Sequence, residues 1–118
     1  KEFLQIITEI TGIRVNIGKT DNSSMIFRQY DYLLCHDDII DKRKIAFVLN
    51  LSKNFIEKDG GSLQLFNSYD SKPKNIVKSI TPSFNNFILF KVSKKSFHQI
   101  EEVYTKKQRI SISGWFNE

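Results

Sequence analysis

The sequence predicts a mainly β protein, an antiparallel double sheet of the jelly-roll kind with one N-terminal packing helix. Three observations carry that expectation. Short apolar runs recur with the β period of two, turn-forming clusters such as Gly60-Gly61, Thr81-Pro82-Ser83 and Ser93-Lys94-Lys95 separate them, and only the first residues carry a helical period.

Taken in order, Lys1 to Thr11 sets Phe3, Leu4, Ile6, Ile7 and Ile10 at spacings that suit one helical face, and Gly12 can end the helix. That face is expected to pack on a sheet. Ile13 to Ile17 alternates as a short strand, and Gly18 to Ser24 reads as a polar loop. Met25 to Asp38 reads as one strand, with room for an interruption, in which Tyr30, Tyr32, Leu34, His36 and Asp38 share a parity. Asp41-Lys42-Arg43-Lys44 makes a charged turn. Ile45 to Leu51 is apolar on both faces, with Ile45, Phe47, Leu49 and Leu51 on one and Ala46, Val48 and Asn50 on the other, so it is expected at the centre of a sheet. Ser52 to Asp59 is a polar loop before the Gly60-Gly61 turn. Strands follow at Leu63 to Phe66, Asn75 to Ile80, Asn86 to Val92, Ser96 to Ile100 and Arg109 to Phe116, with loops at Asn67 to Lys74 and Glu101 to Gln108.

The chain of 118 residues suits one domain, and its 40% apolar and 26% charged content is that of an ordinary globular protein. No repeat, low-complexity segment or linker divides it. The net charge of +5 permits a nucleic-acid partner, but the lysines are scattered between apolar runs as solvated turns, so any such contact is expected to be indirect. One cysteine cannot form an internal disulfide, which points to a reducing compartment, cytoplasmic or nuclear. No apolar run approaches the roughly 20 residues that span a bilayer. The start at Lys1, already inside an amphipathic pattern, suggests a fragment whose upstream elements are absent.

The chemistry gathers at Tyr32-Leu33-Leu34-Cys35-His36-Asp37-Asp38. On a strand, His36 and Asp38 share a face while Cys35 and Asp37 lie on the other, Cys35 as core packing. With His98, the other histidine of the chain, they offer two imidazoles and a carboxylate, the facial triad that holds non-haem Fe(II) with open positions. Each ligand alone is weak evidence, since a lone strand histidine is more often structural and an aspartate near a turn more often a cap. Their order is more specific: His-x-Asp, a Gly-Gly turn, a distal histidine, then Arg109 on the last strand. Arg109 and Ser111 share a face with Ser113 and Trp115 and together can grip one carboxylate, the guanidinium by paired hydrogen bonds and the hydroxyl by a third.

His36-Asp37-Asp38, His98 and Arg109-Ile110-Ser111 resemble the His-x-Asp, distal His and Arg-x-Ser pattern of the Fe(II)- and 2-oxoglutarate-dependent oxygenases. From about Tyr30 to the end, Leu33 to Asp38, Arg43 to Phe47, Gly60-Gly61-Ser62-Leu63, Ile76 to Ser79, Ser96-Phe97-His98 and Ser111 to Phe116 are similar to the eukaryotic ribosomal prolyl 3-hydroxylase branch. The resemblance implies a double-stranded β-helix and hydroxylation of a prolyl residue in a protein, a small-subunit ribosomal protein in that branch. It implies Fe(II), 2-oxoglutarate and dioxygen as requirements and allows ascorbate as an accessory. It makes His36, Asp38 and His98 the iron ligands, Arg109 the partner of the distal carboxylate of 2-oxoglutarate, and Ser111 and Tyr30, or failing it Tyr32, further cosubstrate contacts. The chain departs from the branch twice. Tyr30 is followed at once by Asp31-Tyr32 without the usual glycine-containing turn, and Asn50 stands where the branch has a tyrosine, a shorter donor for the same contact. Two other classes compete: an oxygenase of the same chemistry acting on nucleic acid, and a non-catalytic jelly-roll module with structural histidines.

Overall fold

A computed structural model describes residues 2–40 and 42–118. The chain runs as α1 (Glu2–Thr11), β1 (Asn16–Phe27), β2 (Leu33–His36), β3 (Arg43–Asn50), β4 (Leu63–Tyr69), β5 (Lys72–Ile80), β6 (Asn86–Lys91), β7 (His98–Ile100) and β8 (Arg109–Asn117). Lys1 of the expected helix and Asp41 of the expected charged turn lie outside the described residues.

β3 shows why the chain makes two layers. Its neighbours are β8 and β6, both antiparallel, and its two faces feed different cores. Ile45 and Phe47 pack with Ile7, Val15 and Phe116 under α1, whereas Val48 joins Phe27, Leu63, Ile100 and Val103 between the sheets. The parity expected for Ile45 to Leu51 is therefore the observed one. Ile45 and Val103 are wholly buried, and each such aliphatic side chain contributes roughly 1.5–3 kcal/mol relative to exposure.

One four-stranded sheet has the order β1-β8-β3-β6 and the other β2-β7-β4-β5, the strand order of a double-stranded β-helix. α1 covers the outer face of the first sheet, where Phe3 meets Phe116 edge-on with ring centroids 5.8 Å apart. Gly12, in the left-handed region at φ 70°, closes the helix by donating its N–H to Thr8 O at 2.8 Å.

Several segments differ from the expectation. Of the strand expected over Ile13 to Ile17 only Asn16 and Ile17 are extended in a sheet, as the start of β1, and Arg43 and Lys44 of the expected turn open β3 because Arg43 pairs with the end of β8. Gly18 to Ser24 is not a loop but the middle of β1, which pairs with β8 from Thr20 opposite Phe116 to Phe27 opposite Arg109. This is an edge strand with mostly exposed side chains, so its ladder comes from a distant partner and its residues need no apolar alternation. The strand expected over Met25 to Asp38 is two strands. Between them the chain turns at Tyr30, whose φ is 74°, held by Tyr30 N donating to Val103 O (2.7 Å) and Val103 N donating to Asp31 O (3.0 Å). Asn67 to Lys74 is a hairpin in which Asp70 and Ser71, both at positive φ, join β4 to β5. Pro73 is tolerated there because β5 is an edge.

Gly114 marks a close approach of two strands within the first sheet. A Cβ at this position would run into the Asp21 carbonyl oxygen and come within 2.7 Å of Asn22 Cα, both backbone atoms of the paired β1. Gly114→Ala is expected to cost about 1–3 kcal/mol, read as a lower urea midpoint at unchanged m-value.

Candidate metal centre

β2 and β7 pair antiparallel with His36 directly opposite His98, which brings their ring centroids to 4.3 Å. β2 ends at His36, so Asp38 lies beyond the strand rather than on it. Its φ of 66° turns the carboxylate back between the imidazoles. Asp38 Oδ1 is 3.0 Å from His36 Nε2, and Oδ2 is 3.1 Å from His98 Nε2. Ser96 ties the two ligand segments together. Its hydroxyl reaches Asp37 O at 2.6 Å, and its carbonyl lies 2.7 Å from His98 Nδ1. His36 Nδ1 lies likewise 2.7 Å from Leu34 O.

These contacts test whether the residues suit a metal. With each Nδ1–H donating to a carbonyl, a neutral imidazole presents a bare Nε2 lone pair, and here both lone pairs face carboxylate oxygens. Acceptors facing acceptors repel unless protons or a cation stand between them. One ligand atom from each of His36, Asp38 and His98 lies within 4.8 Å of the others. Two imidazoles and one carboxylate, with carbonyls orienting the rings, are the donor set that non-haem Fe(II) takes. The residues fit the metal.

The electrostatics agree. Burial alone would raise the Asp38 carboxyl, but His36 and His98 outweigh it and, with a smaller push from Trp115, hold it far below the usual carboxylate range. The hydrogen bond to Asp38 raises His36 above the ordinary histidine value, against an opposing effect of burial.

The same cavity, about 330 Å³, is also lined by Arg109 and Ser111. Arg109 is only 2% exposed. It reaches from β8 to the segment just before β4, where Nε donates to Gly61 O at 2.6 Å, while Nη1 donates to Ser111 Oγ at 3.4 Å. Gly61, at φ 71°, makes room for it, since a Cβ there would sit 3.1 Å from Arg109 Cδ. No carboxylate among the described residues pairs with Arg109, and its Nη2 is buried without a partner. Burial lowers its pKa to about 10, so the cation persists at neutral pH. A buried guanidinium with a free donor is costly unless an anion completes it.

The structure thus brings together His36, Asp38, His98, Arg109 and Ser111. Asn50 continues the face of Ala46 and Val48, is 1% exposed, and leaves both amide atoms without a partner among the described residues. Tyr30 and Tyr32 are not brought to the cavity: they are 66% and 58% exposed, because the turn pinned to Val103 directs them outward. Cys35 is half-buried rather than core, and Asp37 caps its own turn by accepting from Ile39 N. Sequence reasoning gave no role to Arg43, Ser96 or Trp115. For Trp115 a signal existed, its shared face with Arg109 and Ser111. Arg43 was hidden in a basic cluster.

Comparison with known proteins agrees with this geometry. The family model described as the 2OG-Fe(II) oxygenase superfamily matches residues 22–117. The chain is 42% identical to prolyl 3-hydroxylase OGFOD1 of Xenopus laevis, over 99% of this chain and 23% of that protein. Its identity to prolyl 3-hydroxylase OGFOD1 of Mus musculus is 40%, over 98% of this chain and 22% of that protein. It therefore spans less than a quarter of the length of these curated relatives. The crystal structure of a Pseudomonas putida prolyl-4-hydroxylase shares the fold at a TM-score of 0.78 and 18% identity, over 99% of this chain and 60% of that one. A metal triad and a buried, anion-seeking arginine in one jelly-roll cavity, together with a family match over most of the sequence, lead to one assignment: the chain belongs to the 2OG-Fe(II) oxygenase superfamily.

Proposed function

We propose that this chain carries the catalytic site of a prolyl hydroxylase that uses Fe(II), 2-oxoglutarate and dioxygen, with ascorbate as a candidate accessory, and that its substrate is a small-subunit ribosomal protein. The observation that carries the cosubstrate is the orphaned Arg109 Nη2 in the cavity that also holds the triad. A dicarboxylate with a 2-keto acid at one end answers both needs. The names of the relatives, prolyl 3-hydroxylases at 40–42% identity, support the prolyl substrate.

When bound, Fe(II) with 2-oxoglutarate supplies the oxidising chemistry: one oxygen atom of dioxygen enters succinate as carbon dioxide leaves, and the other enters a substrate C–H bond. The chain's own residues bind, orient and exclude water. His36, Asp38 and His98 would hold the ion, with the Leu34 and Ser96 carbonyls fixing the rings. Arg109 and Ser111 would take the distal carboxylate, with the Asn50 amide near enough in the fold to add a donor, since its Cα pairs with that of Ser111. Phe27, Val48, Leu63 and Ile100 make the wall apolar, which strengthens these polar contacts and keeps water from competing.

The test supplies the protein with Fe(II), 2-oxoglutarate and ascorbate under air, and offers a prolyl peptide from a small-subunit ribosomal protein or an alkylated oligonucleotide. The expected result is a peptide heavier by one oxygen atom, with one succinate formed per hydroxylation. Succinate formation driven by the oligonucleotide and not by the peptide would overturn the prolyl assignment.

A further inference from the structure

Trp115 lies on the same face of β8 as Arg109, Ser111 and Ser113 and lines the cavity that holds His36, Asp38 and His98. Its indole Nε1 is sealed from solvent and finds no hydrogen-bond partner among the described residues. A buried N–H left without a partner is costly, so its persistence asks for a state in which one is supplied. Asp38 lines the same cavity, with its carboxylate the nearest anionic ligand of the triad, and the indole adds a small push toward its ionised form. Both Asp38 oxygens are, however, turned to the imidazoles, at 3.0 Å from His36 Nε2 and 3.1 Å from His98 Nε2. A divalent ion held by the two imidazoles and one carboxylate oxygen removes the need for those contacts. The second oxygen is then free to accept.

Arg43 fixes the ring for that purpose. Its guanidinium stacks on the indole with Cζ 3.4 Å from the ring centroid, and its Nη1 reaches the Asp38 main-chain carbonyl at 3.5 Å. One side chain thus links the backbone of Asp38 to the Trp115 ring. Planar stacking of this kind is available to arginine and not to lysine.

We propose that Trp115 is a positioning residue for Asp38: when a divalent ion is bound, the indole N–H donates to the carboxylate oxygen that is not on the metal, and Arg43 holds the ring for this bond. This rests on the metal-site reading above. Partners of this sort set ligand orientation, and their loss typically weakens metal binding by about 10–100-fold.

Trp115→Phe keeps a ring for Arg43 to stack on and removes only the donor. Calorimetric titration with Mn(II) is expected to give a Kd for Trp115→Phe weaker by about 10–100-fold, with the metal-free urea midpoint close to wild type. Equal Mn(II) affinities of variant and wild type overturn the proposal while leaving the metal site intact. A wild-type chain that binds no Mn(II) overturns the metal site and this proposal together. Should Trp115→Phe fail to fold, the wild-type chain decides, because Trp115 is its only tryptophan. On saturation with Zn(II), the single indole N–H resonance is expected to move downfield, as a hydrogen-bonded proton does, and to become protected from exchange. An indole resonance that stays in place and exchanges as before overturns the proposal.

Discussion

Asp38→Ala is expected to weaken the Mn(II) Kd by well over the roughly 100-fold that loss of an outer partner costs, and to abolish 2-oxoglutarate turnover with it. The carboxylate is the one anionic ligand of the triad and sits 3.0–3.1 Å from both imidazoles. The same variant reports on protons. In the metal-free wild type, Asp38 raises the His36 pKa above the ordinary value of about 6.5. His36 should therefore titrate at lower pH in Asp38→Ala, as followed by imidazole proton NMR.

The pH window follows from the two shifts. Asp38 has a depressed folded pKa, so its contribution to metal-free stability is present above the unfolded carboxylate value and is lost as pH falls through the folded one. His36 has a raised folded pKa, so its contribution is full below the unfolded imidazole value and is lost as pH rises through the folded one. Together they stabilise the metal-free chain most between about pH 4 and 6.5. Metal binding has the opposite preference, because a protonated imidazole cannot ligate. Mn(II) affinity should fall as pH drops through the His36 titration and level off above it.

Arg109→Met carries the second large effect, and it separates binding from folding. The substitution removes a buried cation that no carboxylate among the described residues neutralises, and replaces it with a flexible apolar chain of similar length. Against this, Gly61 O loses its 2.6 Å donor. Removing the unpaired charge favours the fold and orphaning the carbonyl opposes it, so stability should stay within about 2 kcal/mol of wild type. Affinity for 2-oxoglutarate in the presence of Mn(II) should fall much further, by roughly 10²-fold or more, as expected when one partner of a buried charged pair is truncated. Calorimetry gives the second quantity and a urea melt the first. A variant that binds 2-oxoglutarate normally would place the carboxylate elsewhere.

Much of this was legible in the sequence, for identifiable physical reasons. β3 announced its central place because both its faces are apolar. Arg109 and Ser111 declared a shared face by parity. His36 and Asp38 were expected side by side for a reason that proved only half applicable. The strand ends at His36, and a left-handed φ at Asp38, not the strand period, directs the carboxylate between the rings. What stayed hidden depends on distant partners. β1 is extended because β8 pairs with it, and nothing in Gly18 to Ser24 signals that ladder locally. Tyr30 and Tyr32 were expected at the cosubstrate, but backbone bonds to Val103 turn them outward. Arg43 belongs by composition to a solvated turn, and only the fold lays it on Trp115.

The most direct test is calorimetric titration of 2-oxoglutarate into the protein with and without saturating Mn(II). One cavity that joins the His36, Asp38 and His98 triad to Arg109 predicts a single equivalent bound when Mn(II) is present, and an affinity weaker by an order of magnitude or more when it is absent. Binding of 2-oxoglutarate that is indifferent to Mn(II), or absent with Mn(II) bound, would contradict it.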